Sequence, residues 1–356
     1  MKAAIDDLRS GRMVVVVGDH ARGNEAAVIV AGEFATPGAI NFMATEARGV
    51  VCLALTPERC DELALRPMVA RNDSALGTAF TVSIEAREGV STGISTSDRA
   101  RTIAVAIDPA SSPTDVVRPG HIFPLRAREG GVLERAGWAE SGVDLARLAG
   151  MNPATVQAAI MNEDGTMARG DEVAGFCGRH RLRSIDVEDL IAYRLRREQV
   201  VRRNVEIRLP TRFGDFDVVG YDSLVDDRHH VALVMGDVSS PAEVLVRLQV
   251  ECVLGKGSGT SRCRCRHEVD AAMAMIAREG CGVLLYLTSQ PGRPVVNDPP
   301  GRCSAPLDSI TRVTNERVAA VILRDLGISR ARPIVEQHGY DALAEAGLLG
   351  GRRATT

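Results

Sequence analysis

Three cysteines in the second half of the sequence have a spacing that suits a metal ion. Cys252 is followed by Cys263 and Cys265 on a stretch rich in turn residues. Three thiolates and a water would form an open tetrahedral zinc site, the form in which zinc activates water. Free cysteines acting as small apolar side chains are the alternative that the spacing leaves open.

A histidine in the first half lies in a polar loop that follows an apolar run. An imidazole changes its charge near neutral pH, which makes His20 a candidate proton carrier. A solvated loop histidine without a chemical role is the other interpretation.

The composition indicates a protein of two ordinary domains. The chain has 356 residues, 45% of them hydrophobic and 25% charged, and a formal net charge of -3. This charge gives no reason to expect nucleic acid, so we expect a small-molecule ligand. The longest apolar runs, at 13–17 and 283–287, are too short for a membrane helix, and the N-terminus lacks the apolar core of a secretory signal. We therefore expect no membrane partner and a cytoplasmic location.

The elements that must position these residues follow an α/β pattern in both halves. In the first half the sequence predicts strands at 14–17, 27–30, 50–55 and 102–107, and helices at 57–64, 143–148 and 185–197. In the second half it predicts strands at 205–209, 218–221, 231–235 and 283–287, and a helix at 269–278. Crowded charges at 194–203 place the boundary near residue 200, which gives domains 1–200 and 201–356.

Three strings in the first half carry a specific resemblance. They are RPGHIFPL at 118–125, GGVLERAG at 130–137 and MNEDGTMAR at 161–169. With these strings the first domain resembles 3,4-dihydroxy-2-butanone-4-phosphate synthase. The resemblance implies a mixed-sheet α/β domain that converts ribulose 5-phosphate to dihydroxybutanone phosphate and formate. It also implies magnesium held by a glutamate and a histidine.

The departures from this family fall at the positions that the resemblance assigns to its chemistry. Gly23 stands at the glutamate ligand, Trp138 at the histidine ligand and Ala159 at a further acid. An indole N–H donates a hydrogen bond and cannot bind magnesium, which needs oxygen ligands. The sequence therefore predicts that the magnesium site and the synthase activity are lost.

Other residues match family positions in the same loops. The resemblance makes Asp19, Glu25 and Cys52 catalytic candidates, and His20, which is new to this loop, joins them as the candidate proton carrier. The candidates for substrate binding are Arg22, Thr92, Asp98, Arg99, Arg135 and Trp138. Two questions stay open: whether the arginines and acids only hold the loops, and whether Trp138 fills the emptied site or forms a stacking wall for a ligand.

The second half resembles GTP cyclohydrolase II. LPT at 209–211 and ILRDLG at 322–327 match that family, and its zinc ligands fall on Cys252, Cys263 and Cys265. The family's guanine-reading glutamate is missing from 289–294, and Thr314 occupies the position of its nucleophilic arginine. We therefore expect a degenerate, shortened domain in which zinc is structural or serves another hydrolysis.

These replacements lead to three hypotheses for a divergent, homodimeric relative of a fused riboflavin-pathway protein. In the first, the metal-free cavity serves a repurposed enzyme of secondary metabolism, with lyase or isomerase chemistry on another small molecule. In the second, the chain is a pseudoenzyme that regulates or scaffolds. In the third, residual synthase or cyclohydrolase activity persists.

Overall fold

The computed structural model describes residues 1–18, 23–74, 77–226, 228–240, 243–251, 265–288, 309–334, 340, 343–344 and 348–349. The chain divides into two compact units, Met1–Tyr193 and Arg194–Thr356. Both are α/β units with mixed sheets, as the sequence predicts. Among the described helices, none has the length and apolarity needed to cross a bilayer.

In the described part of the first unit, seven strands form one sheet in the order β4-β5-β3-β6-β2-β1-β7. Two pairs, β1 with β7 and β3 with β5, are parallel, and the other pairs are antiparallel. The strands are β1 (Val14–Val17), β2 (Ala26–Ala31), β3 (Cys52–Leu55), β4 (Ile84–Ala86), β5 (Val116–Arg126), β6 (Thr155–Ala159) and β7 (Arg183–Asp186).

Three helices of this unit begin at a side-chain cap, namely Thr36, Thr56 and Ser95. The Thr56 hydroxyl accepts a hydrogen bond from the Arg59 amide at 3.2 Å, and Pro57 takes the first helical position. The helices are α1 (Lys2–Arg9), α2 (Pro37–Phe42), α3 (Pro57–Glu62), α4 (Thr96–Ile107), α5 (Trp138–Leu148), α6 (Asp171–His180) and α7 (Val187–Leu195).

The predicted strand at 102–107 is wrong, because these residues form the second half of α4. The Ser95 hydroxyl caps the helix by accepting from the Asp98 amide at 3.0 Å. The Thr102 hydroxyl donates to the Asp98 carbonyl at 3.0 Å, a bond between residues four apart that suits a helix. The apolar, β-branched run is buried here on a helix, so burial overrides its strand propensity.

In the described part of the second unit, six strands form a sheet in the order β13-β11-β12-β10-β9-β8. The strands are β8 (Val201–Thr211), β9 (Gly214–Ser223), β10 (His229–Met235), β11 (Val244–Val250), β12 (Gly282–Leu287) and β13 (Ala331–Pro333). The helices are α8 (Cys265–Glu279) and α9 (Ser309–Asp325). Strand β8 forms one edge of this sheet among the described strands, and most of its residues are exposed.

The two faces of strand β3 contact two different apolar clusters of the first unit. Leu53 and Leu55 enter the larger cluster, whereas Cys52 and Ala54 enter a smaller one together with Ala139 of α5. This alternation follows from the two-residue period of a strand. The start of α5 therefore lies over β3, an interior strand of the sheet.

Candidate functional site

A group of residues surrounds the loop that connects β1 to β2. The Gly18 amide donates to the Glu25 carbonyl at 2.7 Å, which closes the loop at its base. The Glu25 carboxylate accepts from the Arg169 guanidinium at 2.5 Å. We call this group the hairpin site and define it as Gly18, Gly23, Glu25, Trp138 and Arg169.

The two positions at which the resemblance places metal ligands both lie in the hairpin site. A Cβ atom built on Gly23 would lie 3.0 Å from Nε of Arg169, and φ at Gly23 is +76°. A Cβ atom built on Gly18 would lie 3.6 Å from Nε1 of Trp138. Gly23 thus faces a guanidinium, and the indole nitrogen of Trp138 lies against the base of the loop.

Arg135 is positioned by a buried carboxylate just before α5. Its guanidinium lies 2.8 Å from Glu140, whose side chain is 1% exposed. Glu140 also accepts from the Arg128 amide at 3.2 Å. Sequence reasoning selected Arg135 but missed Glu140, which sets the direction of Arg135 from the first turn of α5.

Cys52 lies beneath α5 in the small apolar cluster. It pairs with Phe123 of β5 and Gln157 of β6, and it is buried. Burial raises the pKa of the Cys52 thiol to about 12, so the thiol is protonated at neutral pH. A role for Cys52 in catalysis stays a prediction, and these surroundings favour the neutral thiol.

A second group of polar residues lies beside the edge strand β4. The Glu85 carboxylate lies 3.3 Å from Nδ1 of His121, and it occupies the space that a Cβ atom at Gly93 would need. The Asp98 carboxylate accepts from the Ser91 hydroxyl at 2.8 Å and from the Gly93 amide at 3.0 Å. The Ser91 hydrogen bond lowers the pKa of Asp98. We call Glu85, Ser91, Gly93, Asp98 and His121 the β4-edge site.

Two further candidates flank the β4-edge site. Thr92 is exposed on the loop before α4. Nε of Arg99 is buried and has no hydrogen-bond partner among the described residues, and burial lowers the pKa of this arginine. A buried guanidinium nitrogen without a partner is costly unless a ligand or water pairs with it.

The structure therefore does not bring all the predicted site residues together within one copy of the first unit. Glu25 and Trp138 belong to the hairpin site, whereas Asp98 belongs to the β4-edge site. Strands β6, β3 and β5 separate β2 from β4, and four strand spacings amount to roughly 20 Å.

Some predicted residues lie outside the described residues, namely Asp19, His20, Arg22, Cys252 and Cys263. Of the proposed zinc ligands, Cys265 is described as the partly buried first residue of α8. Within the ranges that the structure describes, no cluster of three or more His, Cys, Asp or Glu side chains could hold a metal ion.

Sequence reasoning missed Glu85, His121 and Arg169 as site residues. His121 and Arg169 lie within the quoted strings at 118–125 and 161–169, so their position was a usable signal. Glu85 carries no such signal, because its partners Gly93 and His121 come from other segments of the chain.

Comparison with known families assigns both halves of the chain. Residues 2–193 match the family of 3,4-dihydroxy-2-butanone 4-phosphate synthase, and residues 202–298 match that of GTP cyclohydrolase II. The chain is 50% identical over 295 residues to a riboflavin biosynthesis protein RibBA of Aquifex aeolicus, covering 82% of this chain and 73% of that protein. A RibBA of Synechocystis sp. is 45% identical over 349 residues, covering 93% of this chain and 63% of that protein.

Solved structures agree with this assignment. The crystal structure of RibBX, described as a two domain 3,4-dihydroxy-2-butanone 4-phosphate synthase from A. baumannii, is 34% identical with a TM-score of 0.83. That likeness covers 100% of this chain and 98% of the other. A 3,4-dihydroxy-2-butanone 4-phosphate synthase in complex with two magnesium ions is 39% identical with a TM-score of 0.53, covering 55% of this chain and 96% of that one.

These likenesses correct the first two hypotheses. A chain repurposed for secondary metabolism, or a pseudoenzyme without either parent activity, is the wrong interpretation. Relatives that are 45% and 50% identical over most of the chain are named for riboflavin biosynthesis. The prediction failed because it let a few replaced side chains outweigh identity that extends through both domains.

Proposed function

The chain belongs to the 3,4-dihydroxy-2-butanone 4-phosphate synthase family, and from this premise we propose that its first domain acts in riboflavin biosynthesis. The proposed reaction converts ribulose 5-phosphate to dihydroxybutanone phosphate and formate. The observation that carries the proposal is the identity to proteins named for riboflavin biosynthesis over at least 82% of this chain.

We assign roles to the candidate residues by their chemistry. Arginines at 22, 99 and 135 bind the phosphate and hydroxyl oxygens of the sugar, because a guanidinium donates several hydrogen bonds to oxyanions. The buried Nε of Arg99, which has no hydrogen-bond partner in the part of the chain that the structure describes, supports this role. Thr92, Asp98 and Trp138 complete the substrate contacts in a site shared by the two copies of the proposed homodimer, since Asp98 and Trp138 lie at different places within one copy. Asp19, His20, Glu25 and Cys52 are the candidates for moving protons.

The family implies magnesium, but two residues of the hairpin site do not fit it. Gly23 has no side chain and faces the Arg169 guanidinium, and the indole of Trp138 offers no lone pair to a cation. We propose that positions 23 and 138 hold no magnesium in this chain.

For the second domain we propose a zinc ion bound by Cys252, Cys263 and Cys265. The support is the cysteine spacing together with the match of residues 202–298 to GTP cyclohydrolase II. Metal analysis of the purified protein should find close to one zinc per chain, and Cys265→Ser should remove it. The homodimer and the cytoplasmic location stay predictions, and light scattering after size-exclusion chromatography tests the first.

The synthase proposal is tested by incubating the purified chain with ribulose 5-phosphate, once with magnesium and once with excess EDTA. Formate and dihydroxybutanone phosphate should appear in equal amounts, and the gene should rescue a riboflavin auxotroph that lacks the synthase. Absence of both products in both conditions, together with failure to rescue, would show that the proposal is wrong.

A further inference from the structure

The hairpin site differs chemically from a cation site. The side chain that would extend from position 23 is absent, and Arg169 lies where that side chain would begin, with Nε 3.0 Å from the built Cβ position. Glu25, two residues after Gly23, holds the guanidinium at 2.5 Å. A fixed positive charge at this place repels a second cation and attracts an oxyanion.

The guanidinium is held in place and is also accessible. The side chain of Arg169 is 56% exposed, and that of Glu25 is 22% exposed. An arginine has five N–H donors, so one carboxylate leaves donors for a ligand. The Arg169 amide is fixed as well, because it donates to the Glu172 carboxylate at 2.9 Å.

Trp138 and Asn24 offer further hydrogen-bonding groups near the charge of Arg169. The indole Nε1 of Trp138 lies against Gly18 at the base of the same loop, and an indole N–H can only donate. Oδ1 of Asn24 is buried and, among the described residues, has no hydrogen-bond partner. The guanidinium and the indole N–H can donate to the oxygens of a phosphate, and the Asn24 oxygen can accept from a hydroxyl group. Together these groups suit a phosphorylated polyol.

We propose that Arg169, held by Glu25 over Gly23, supplies the fixed positive charge for a phosphorylated polyol in place of a divalent cation, with the indole of Trp138 at the base of the same loop. This inference rests on the proposed function for the choice of a sugar phosphate. Its core is that oxyanion binding at the hairpin site requires Arg169 and does not require magnesium.

Trp138 is the single tryptophan of the chain, so its fluorescence reports on the hairpin site directly. The probes are ribulose 5-phosphate and inorganic phosphate, each titrated in excess EDTA and in excess magnesium. Both probes should shift the emission, with the same Kd in the two conditions. Arg169→Gln should raise both Kd values at least about tenfold, and Arg169→Lys should give an intermediate value.

Two variants separate ligand binding from a purely structural ion pair. Glu25→Gln removes the competing negative charge but keeps an oxygen that can hold Arg169, so it should lower the Kd for phosphate, whereas a purely structural ion pair would leave the Kd unchanged. The matched control is Arg183→Gln, since Arg183 pairs with Asp7 at 3.0 Å and its side chain is 49% exposed. This control should leave the Kd within about twofold of the original.

Phosphate binding that disappears in EDTA and returns with magnesium would overturn the inference, as would unchanged binding in Arg169→Gln. Turnover of ribulose 5-phosphate that requires magnesium and tolerates Arg169→Gln would overturn it while upholding the proposed function. Phosphate binding that depends on Arg169, without any turnover, would uphold this inference and overturn the proposed function.

Discussion

The guanidinium of Arg135 lies 2.8 Å from the carboxylate of Glu140, and the glutamate side chain is almost completely buried. A buried carboxylate is tolerated because it is paired, and removing one partner leaves an unpaired charge. The pair fixes Arg135 at the start of α5, where Trp138 also lies. The position of a candidate substrate-binding group therefore depends on a residue that need not contact the substrate.

We predict that Glu140→Ala lowers the free energy of unfolding by about 3 kcal/mol, because Arg135 and the Arg128 amide each lose a hydrogen bond to this buried carboxylate. Glu140→Gln should cost less, since it keeps an acceptor for Arg128. Urea denaturation measures both.

Glu62→Ala is the control, because that carboxylate is exposed in its pair with Arg59, and its removal should cost at most about 0.5 kcal/mol. Equal losses for Glu140→Ala and Glu62→Ala would contradict the prediction.

His230 should make the second unit less stable in acid. Burial lowers the pKa of His230 to about 4, and the positive charge of Arg228 acts in the same direction, against a smaller opposite effect of Asp226. The unfolded chain, with a histidine pKa near 6.5, binds a proton before the folded chain does. Stability is therefore complete above pH 6.5 and falls as the pH drops toward 4, by about 3 kcal/mol for this group.

The measurement is hydrogen exchange of β10 amides in the full chain between pH 7 and pH 4, corrected for intrinsic exchange rates. His230→Asn should flatten the pH dependence of the opening free energy. His229→Asn is the control because the neighbouring side chain is largely exposed, and it should keep the slope. The same slope in His230→Asn and in the unmodified chain would show that another group is responsible.

Cys52 should resist alkylation in the folded chain. Its thiol is buried with a pKa raised to about 12, and the thiolate is the reactive form. Iodoacetamide labelling followed by peptide mass spectrometry should leave Cys52 unmodified up to about pH 10, while the partly exposed Cys281 is modified. Labelling of Cys52 at neutral pH as fast as Cys281 would show that the thiol is accessible and ionised.

Gly93→Ala should destabilise the β4-edge site. Gly93 has φ of +81°, and a Cβ atom there would lie 0.9 Å from a carboxylate oxygen of Glu85. The left-handed backbone and the displaced Glu85 together should cost about 2 kcal/mol, measured by urea denaturation. Gly178→Ala is the control, because that glycine lies within α6 with no heavy atom within 4 Å of a built Cβ. An unchanged free energy of unfolding in Gly93→Ala would mean that the loop before α4 adjusts to the added methyl group without cost.

Local signals in the sequence predict the elements well where a cap and an apolar pattern agree. Thr56 and Pro57 predict the start of α3, and the alternation at 218–221 and 231–235 predicts β9 and β10. The prediction failed at 102–107, where a β-branched run suggested a strand. These residues belong to a helix whose N-cap, Ser95, lies outside that run. Propensity in a short window cannot include a cap seven residues away.

The candidate site was less predictable, because its relationships join distant parts of the chain. Glu25 was chosen from its loop, but its partner Arg169 lies 144 residues later. The sequence identified Gly23 as a missing ligand and could not indicate that a guanidinium lies against it. A replaced residue shows what has been removed, whereas only the packed structure shows which group now faces that position.

The edge strand β8 carries an apolar row at Val205, Ile207 and Leu209, each 40% exposed or more. An uncovered strand of this kind is a template on which other chains can add and begin to aggregate. Charged side chains alternate with this row, among them Glu206 and Arg208. Charged side chains on an edge strand disfavour pairing with a second copy, so we expect these residues to limit aggregation through β8.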